Sequence, residues 1–501
     1  MNLPLILSGI VVIFILVILL RAAVIKAPAA KLLRQKWPAY AGHAAVDRDR
    51  AAERLAALVR CRTLAPENER GTVNKDVDGY SEFIKLRSLL REYYPLTHEM
   101  LELEMVEDHS MLYRWPGKKN EEPLVLMSHY DVVPVVEEQW SHPPFGGVIA
   151  DGAVWGRGSL DNKATLVSIL EAVEALLQEG FKPQQDIYLT FGHNEETFGS
   201  GIKSVVSLLE ERGVQPGLVL DEGGAIMSGI FPGIERPVAF VGMSEKGYAN
   251  FEFSVGGTGG HANAPDNINP FAILASIISA VGRKPFKAHL PGEVEEMFGI
   301  LGPHMPFAQR LIFVNLWCFK PLLPLLLTLI GREINALCRT TAVFTMAEGS
   351  SAPNVIPDRA SAVANVRPAK RDSLQDVRDH FDRLAKKAAA PAMKGEDPYR
   401  VEVSMLYGHE ASPSSGSGSF AFKKLKDLIA ASYPEVAITP YIMLGGSDAR
   451  HFCRISDHVF RFLPFEMSRE ELRTIHGVDE RIGIDRLAAA IFFYRTLVAA
   501  S

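Results

Sequence analysis

A chain of 501 residues exceeds one comfortable hydrophobic core, so two domains are expected. With 47% hydrophobic and 22% charged residues it reads as globular, and a net charge of -6 with a pI near 6.2 gives no basic face for nucleic acid. The four cysteines are scattered and form no CxxC, which indicates neither a thiolate metal site nor a disulfide framework.

Leu3 to Leu20 is apolar apart from Pro4, Ser8 and Gly9. Continued past Arg21 to Ile25, the run is long enough to cross a bilayer, which takes about 20 residues. No basic region precedes it, and it is longer than the roughly 7–15 apolar residues of a secretory signal. Residues 1–25 therefore read as an uncleaved, single-pass membrane anchor. A cleaved signal peptide is the alternative, because Ala27-Pro28-Ala29 has the small residues of a cleavage site. Arg21, Lys26, Lys31, Arg34 and Lys36 follow the run, and the positive-inside rule puts the rest of the chain on the cytoplasmic side.

Helical periodicity covers Ala44–Arg60 and Ser81–Tyr93. Met100–Val106, Met111–Trp115 and Leu124–Met127 read as strands. A helix is expected over Asn162–Gln178, with Gly180 past its end. Ile187–Phe191 and Leu218–Leu220 are further buried strands. Strands alternating with helices predict an α/β domain with a mainly parallel sheet. The pattern then changes. Strands at Tyr248–Val255, Thr340–Ala347, Ala360–Arg367 and Arg400–Leu406 alternate with helices at Pro270–Val281 and Ser373–Ala388. That order, βαββαβ, is a compact ferredoxin-like α+β unit. Within it, Leu311–Ile330 looks like a second span. Lys320, Pro321 and Pro324 argue against a straight one and favour a helical hairpin packed in a dimer interface. The alternative is a greasy surface for a membrane or an acyl chain. Ser412–Ser419 is a Ser/Gly-rich loop.

The candidate chemistry gathers at strand ends. His129 and Asp131 stand at i and i+2, so both side chains leave the strand on one face. Asp161 lies between the Gly-rich turn Gly156–Ser159 and the helix starting near Lys163. Glu195-Glu196 and Asp221-Glu222 each follow an apolar run, and His476 lies in TIHGVDE. Neutral imidazole with carboxylates is a nitrogen/oxygen ligand set that suits zinc and related divalent metals.

GRGSLDNK, NEETFGSGI, LDEGG, GGSDARHF and IHGVDE, in that order, resemble the cocatalytic zinc metallopeptidases that include aminoacylase, glutamate carboxypeptidase and carnosinase. The resemblance runs from about Tyr40 to the C-terminus. It is closest to the branch with carboxypeptidase S and the N-fatty-acyl amino acid synthase/hydrolases. It implies two zinc ions, with cobalt or manganese as substitutes. One ion would be held by His129, Asp161 and Asp221, the other by Asp161, Glu196 and His476. Glu195 would be the general base, and Asp131 would orient His129. His261, Asn354, Arg367, Gly445, Gly446, Ser447 and Arg450 would bind substrate, with His261 reaching the site from the partner of a homodimer. The implied domains are a catalytic part at 40–246, a lid and dimerisation domain at 247–408, and a second catalytic part at 409–501. A cis peptide is expected at Asp161–Asn162.

The implied activity is hydrolysis of the amide of an N-acyl amino acid or of a peptide C-terminus, on a substrate with a free carboxylate. A dipeptidase, or a deacetylase or esterase of small polar substrates, is the alternative on the same site. A non-catalytic scaffold is disfavoured because all five ligands and Glu195 are present. Relatives of the closest branch are secretory or vacuolar, so resemblance and charge point to opposite sides of the membrane.

Overall fold

The computed structural model describes residues 3–25, 46–66, 79–230, 233–234, 236–263, 265, 268–391 and 399–501. Ala27-Pro28-Ala29, the basic residues after Arg21 in the same linker, and the start of the Ala44–Arg60 helix lie outside them. The principal strands, in chain order, are β1 (Glu102–Val106), β2 (Ser110–Trp115), β3 (Lys119–His129), β4 (Gln185–Gly192), β5 (Leu218–Met227) and β6 (Val238–Glu245). β7 (Tyr248–Gly256), β8 (Thr341–Glu348), β9 (Arg359–Arg367) and β10 (Arg400–His409) follow. β11 (Ala437–Met443) and β12 (Val459–Met467) complete the set.

An eight-stranded sheet has the order β1-β2-β4-β3-β5-β12-β6-β11. Its centre, β4-β3-β5-β12, is parallel. β1–β2 and β2–β4 pair antiparallel, β6 runs antiparallel to β5 and β12, and β11 is parallel to β6. The sheet is thus mixed rather than mainly parallel. A buried apolar run looks the same in either direction, so sequence does not reveal which flanking strands reverse.

Both faces of the central strands are covered. Leu124 and Leu126 of β3 pack with Leu166, Ile169 and Leu170 of the helix Lys163–Gln178 and with Phe493 and Leu497 of the helix Ile484–Ala499. Val125 and Met127 point the other way, to Ile202, Val205 and Leu209 of the helix Gly201–Glu211. The period of two therefore serves two cores.

A second, four-stranded antiparallel sheet has the order β8-β9-β7-β10. Phe251 and Phe253 of β7 pack with Ile273 and Ile277 of the helix Pro270–Arg283 and with Val377 and Phe381 of the helix Leu374–Ala389. In β9, Ala360, Ala362, Ala364 and Val366 are buried in that cluster, so Asn365 and Arg367 face away from it.

Leu311–Ile330 does not form one straight span. Three short helices, Phe307–Phe313, Leu316–Phe319 and Leu323–Ile330, occupy it. Their buried side chains Phe313, Leu323 and Leu327 pack onto Val238, Phe240 and Ala437 at the β6–β11 edge of this same chain. At the other end of the chain, Leu3–Val24 is a single helix. Its Ile6–Val24 portion is long and apolar enough to cross a membrane.

Candidate metal centre

His129 closes β3, and Glu195 and Glu196 lie just past the end of β4. Asp161 precedes the helix Lys163–Gln178, and its peptide bond to Asn162 is cis. Its carboxylate faces two ways. Oδ1 lies 3.0 Å from His129 Nε2, and Oδ2 lies 3.1 Å from His476 Nε2. His476 Nε2 is also 3.0 Å from Glu196 Oε1. His129 Nε2 is 3.5 Å from Glu222 Oε1. The structure thus joins His129, Asp161, Glu196 and His476, although they come from distant parts of the chain.

Asp221 and Glu222 are placed differently. Asp221 Oδ2 accepts the Ala449 N–H at 3.0 Å, and Glu222 takes the place beside His129. Neighbouring side chains on a strand leave opposite faces, so only one of the pair turns to the cleft. The two glycines that follow allow β5 to lie close to its neighbours. A Cβ at Gly224 would lie 2.0 Å from the Phe240 carbonyl oxygen.

Asp131 does more than orient a histidine. His129 Nδ1 lies 3.1 Å from the Asp131 backbone oxygen and 3.3 Å from its Oδ1. That puts the Nδ1 proton on the Asp131 side and leaves Nε2 toward Asp161 and Glu222. The Asp131 carboxylate also accepts the backbone N–H groups of Glu195 and Glu196, at 3.2 and 3.0 Å. One buried carboxylate therefore fixes a histidine and the loop that carries both glutamates.

Glu480 is a residue that sequence reasoning passed over. It is fully buried, and its Oε1 accepts the N–H groups of Leu160 and Asp161 at 2.8 and 3.0 Å. Its Oε2 takes Arg157 NH1 at 2.5 Å, and Arg157 NH2 donates to the Gly477 carbonyl at 2.9 Å. The turn carrying Asp161 is thereby tied to the loop carrying His476. Its place in IHGVDE, four residues after the histidine, was the available signal.

The electrostatics suit cations. Burial lifts the Glu195 carboxyl well above its usual range, against the pull of His129. Glu222 is pushed up to about 8, mainly by burial, and Glu196 is raised by burial and by Asp161. Burial would lower His129, but Glu222, Asp131 and Asp161 hold it well above its ordinary value. Hydrogen bonds to Asp161 and Glu196 push His476 up to about 10. Buried carboxylates driven to keep their protons are short of positive charge, and divalent ions would supply it. His129, Asp161 and Glu196 offer ligand atoms within 4.8 Å of one another, as do His129, Glu195 and Glu222. The donor set fits a pair of divalent metals.

The cluster opens into a cleft of about 1060 Å³. Asp161, Glu195, Glu196, Glu222 and His476 line its floor. Asn365, Arg367 and Tyr248 enter from the smaller sheet, with the Arg367 guanidinium 4.7 Å from the Tyr248 ring centroid. Asn365 Nδ2 donates to Asn250 Oδ1 at 2.9 Å, so this neutral residue pins the strand beside Arg367. Met227, Met443, Leu463, Met467, Leu472 and Ile475 make an apolar wall.

The other expected substrate contacts divide. Gly445 and Gly446 line the cleft. Ser447 is buried and engaged: its N–H and hydroxyl both donate to Glu245 Oε2, at 3.0 and 3.1 Å. Glu245 in turn pairs with the buried Arg461 at 3.2 Å. Arg450 NH1 donates to the Ser447 carbonyl at 2.7 Å, and its guanidinium lies 5.7 Å from the Phe198 ring. Both residues shape the loop rather than line the cleft. His261 and Asn354 lie outside the cleft of this chain. They are exposed at the short ladder Gly260–His261 with Val355–Ile356, where Ala262 N donates to the Asn354 carbonyl at 3.0 Å.

Acidic and imidazole ligands at strand ends, open to a cleft, define a metallohydrolase class of site. The model of peptidase family M20/M25/M40 matches residues 125–500, and the chain belongs to that family and is a hydrolase. It is 34% identical over 423 residues to the probable carboxypeptidase S-like 2 of Dictyostelium discoideum, covering 83% of this chain and 79% of that one. It is 33% identical over 400 residues to the N-fatty-acyl-amino acid synthase/hydrolase PM20D1 of Homo sapiens, covering 79% and 77%. Among solved structures, the M20 family metallo-carboxypeptidase Sso-CP2 of Sulfolobus solfataricus superposes with a TM-score of 0.63 at 20% identity, covering 89% of this chain and 98% of that one. That last likeness concerns the fold.

Proposed function

We propose that this chain is a membrane-anchored, dinuclear metal amidohydrolase that cleaves long-chain N-acyl amino acids. The observation that carries the reading is the division of the cleft. A guanidinium enters from one side, an acidic metal centre forms the floor, and an apolar wall stands beside it. Arg367 suits a free carboxylate, which it can hold through two parallel N–H donors. The wall Met227–Met443–Leu463–Met467 suits an acyl chain. The relatives named above as carboxypeptidase and as N-fatty-acyl-amino acid synthase/hydrolase both act next to such a carboxylate.

In this reading His129, Asp161 and Glu222 would hold one divalent ion, zinc by preference, and Asp161, Glu196 and His476 would hold the other. The ions would supply Lewis acidity to the scissile carbonyl and to water. Asp131 keeps the His129 tautomer and the Glu195-Glu196 backbone in place. Glu195 takes the proton of the attacking water and returns it to the leaving nitrogen. Gly445 and Gly446 offer backbone N–H groups to the substrate carboxylate beside Arg367. A homodimer, with its dimerisation surface in 247–408, would bring His261 of the partner subunit to the oxyanion. Leu3–Val24 would be the anchor.

The choice between Asp221 and Glu222 is tested by metal content. Glu222→Ala should reduce bound metal from about two equivalents to about one, since it removes a donor beside His129. Asp221→Asn should keep both, because an amide oxygen still accepts the Ala449 N–H. The reverse pattern by elemental analysis would return Asp221 to the donor set.

Substrate is tested by a chain-length series from N-acetyl to N-oleoyl amino acids. Each methylene buried on the wall adds up to about 0.8 kcal/mol, so kcat/KM should climb with length until the wall is covered. Arg367→Ala should weaken every member of the series. A flat or falling series with Arg367→Ala harmless would favour small polar dipeptides or esters on the same site.

A further inference from the structure

We infer that the helices spanning Phe307–Leu327 are a second membrane-seating element, whose exposed face is covered by a phospholipid bilayer. The inference rests on the proposed anchor role of Leu3–Val24. That helix does not leave the folded body as a free stalk. Its C-terminal half is bonded to the 307–327 segment. Asn315 Nδ2 donates to the Ile18 carbonyl at 3.2 Å, and Asn315 Oδ1 accepts Arg21 Nε at 3.1 Å. Arg310 Nε donates to the Ala22 carbonyl at 2.7 Å, and Arg21 NH2 to the Val314 carbonyl at 3.3 Å. Asn315 is completely buried at this junction. Mutual satisfaction of polar groups is what a low-dielectric surrounding demands.

The depth follows from the next contact. Trp317 packs edge-on against Phe14, with ring centroids 5.6 Å apart. Phe14 precedes Arg21 by two helical turns, about 10 Å of rise. If the helix crosses a bilayer with Arg21 near its boundary, Trp317 is carried below that boundary with it. The side chains around Trp317 agree. Trp317, Leu322 and Leu325 are 56%, 57% and 66% exposed, and Phe307 is 46% exposed. The opposite face of the same helices is buried on Val238, Phe240 and Ala437. An apolar face held rigidly by the protein, and continuous with a bare apolar span, calls for lipid rather than water.

The location bears on the reaction. Met227 and Met443 line the cleft. Met227 also packs on the apolar cluster that holds Phe313, Leu323 and Leu327, as do Ile442 and Leu444 on either side of Met443. The lipid-facing helices and the acyl wall are thus two sides of one apolar cluster. An amphiphile dissolved in the bilayer would reach the enzyme at the side where its chain is to be held.

The test uses the full chain reconstituted into phosphatidylcholine vesicles with and without brominated acyl chains. The emission lost in Trp317→Phe is the Trp317 component. It should be largely quenched by bromine, most strongly when the bromine is near the middle of the chain, and the protein should stay with the vesicles through an alkaline carbonate wash. Carbonate-resistant protein with an unquenched Trp317 component would overturn the inference and leave the anchor standing. Release by carbonate would overturn the anchor and the inference with it. Quenching that vanishes as protein-to-lipid ratio rises would give the face to a second copy and overturn the lipid assignment. A second variant keeps the test independent of fluorescence. Leu322→Asp/Leu325→Asp should lower kcat/KM on vesicle-borne substrate by about tenfold or more, since carboxylates are expelled from hydrocarbon. Its turnover of a short, water-soluble N-acyl amino acid should match the parent, and equal losses on both substrates would count against the proposal.

Discussion

Glu195→Gln is expected to bind metal as the parent chain does and to hydrolyse amides roughly 10²–10⁴-fold more slowly. Metal should survive because the proposed ligands His129, Asp161, Glu196, Glu222 and His476 are untouched. The fold should survive because the Glu195 contribution to the loop is its backbone N–H, bonded to Asp131 Oδ1 at 3.2 Å, and the substitution leaves it in place. What is lost is the proton acceptor. Glu195 lines the cleft with Glu222, within 4.8 Å of a His129 ring nitrogen, and its carboxyl is held well above the ordinary range by burial. A glutamine has the same shape and cannot accept the proton of the attacking water. The measurement is single-turnover hydrolysis beside elemental analysis of the same sample. Parent-like turnover at parent-like metal content would remove Glu195 from the mechanism. Loss of metal together with turnover would recast it as a ligand.

Most of the site was legible because its residues follow apolar runs. Val125 to Met127 has to be buried, so His129 and Asp131 have to emerge at a strand end. The same logic places Glu195 and Glu196 beyond Ile187–Phe191. It does not choose between Asp221 and Glu222, two acids that share one strand, of which Glu222 lines the cleft. Which one lines it depends on the register of β5 beside β12, set by Val219 opposite Val459, a pairing of residues far apart in sequence. Ser447 misled for a related reason. Gly-Gly-Ser resembles an anion-binding turn, but the buried Glu245, paired with Arg461, accepts both the serine N–H and its hydroxyl. The strands β6, β11 and β12 were not assigned from sequence, and β1 and β2 were assigned without their direction, so the mixed character of the sheet was not legible. Leu311–Ile330 was legible as apolar and broken. That its buried face packs on the β6–β11 edge of this chain follows from those unassigned strands.

Glu480→Ala should be the most damaging substitution outside the metal ligands and Glu195. The side chain is fully buried and makes contacts of two kinds, a charged pair with Arg157 and two backbone hydrogen bonds from Leu160 and Asp161. Arg157 is itself only 3% exposed, so removing its partner leaves an uncompensated buried cation. Breaking such a pair costs about 3–5 kcal/mol, which is a large share of the stability of a typical domain. The same change frees two N–H groups in the turn that aims Asp161 at both histidines. Metal affinity should therefore fall along with stability, although no ligand has been altered. Glu480→Gln separates the two effects. Its amide oxygen still accepts from Leu160 and Asp161, while the charge opposite Arg157 is gone. It should unfold at lower denaturant than the parent yet hold metal better than Glu480→Ala. Equilibrium unfolding and metal titration on the two variants decide the matter. If Glu480→Ala matches the parent in both, the turn carrying Asp161 is held by something other than Glu480.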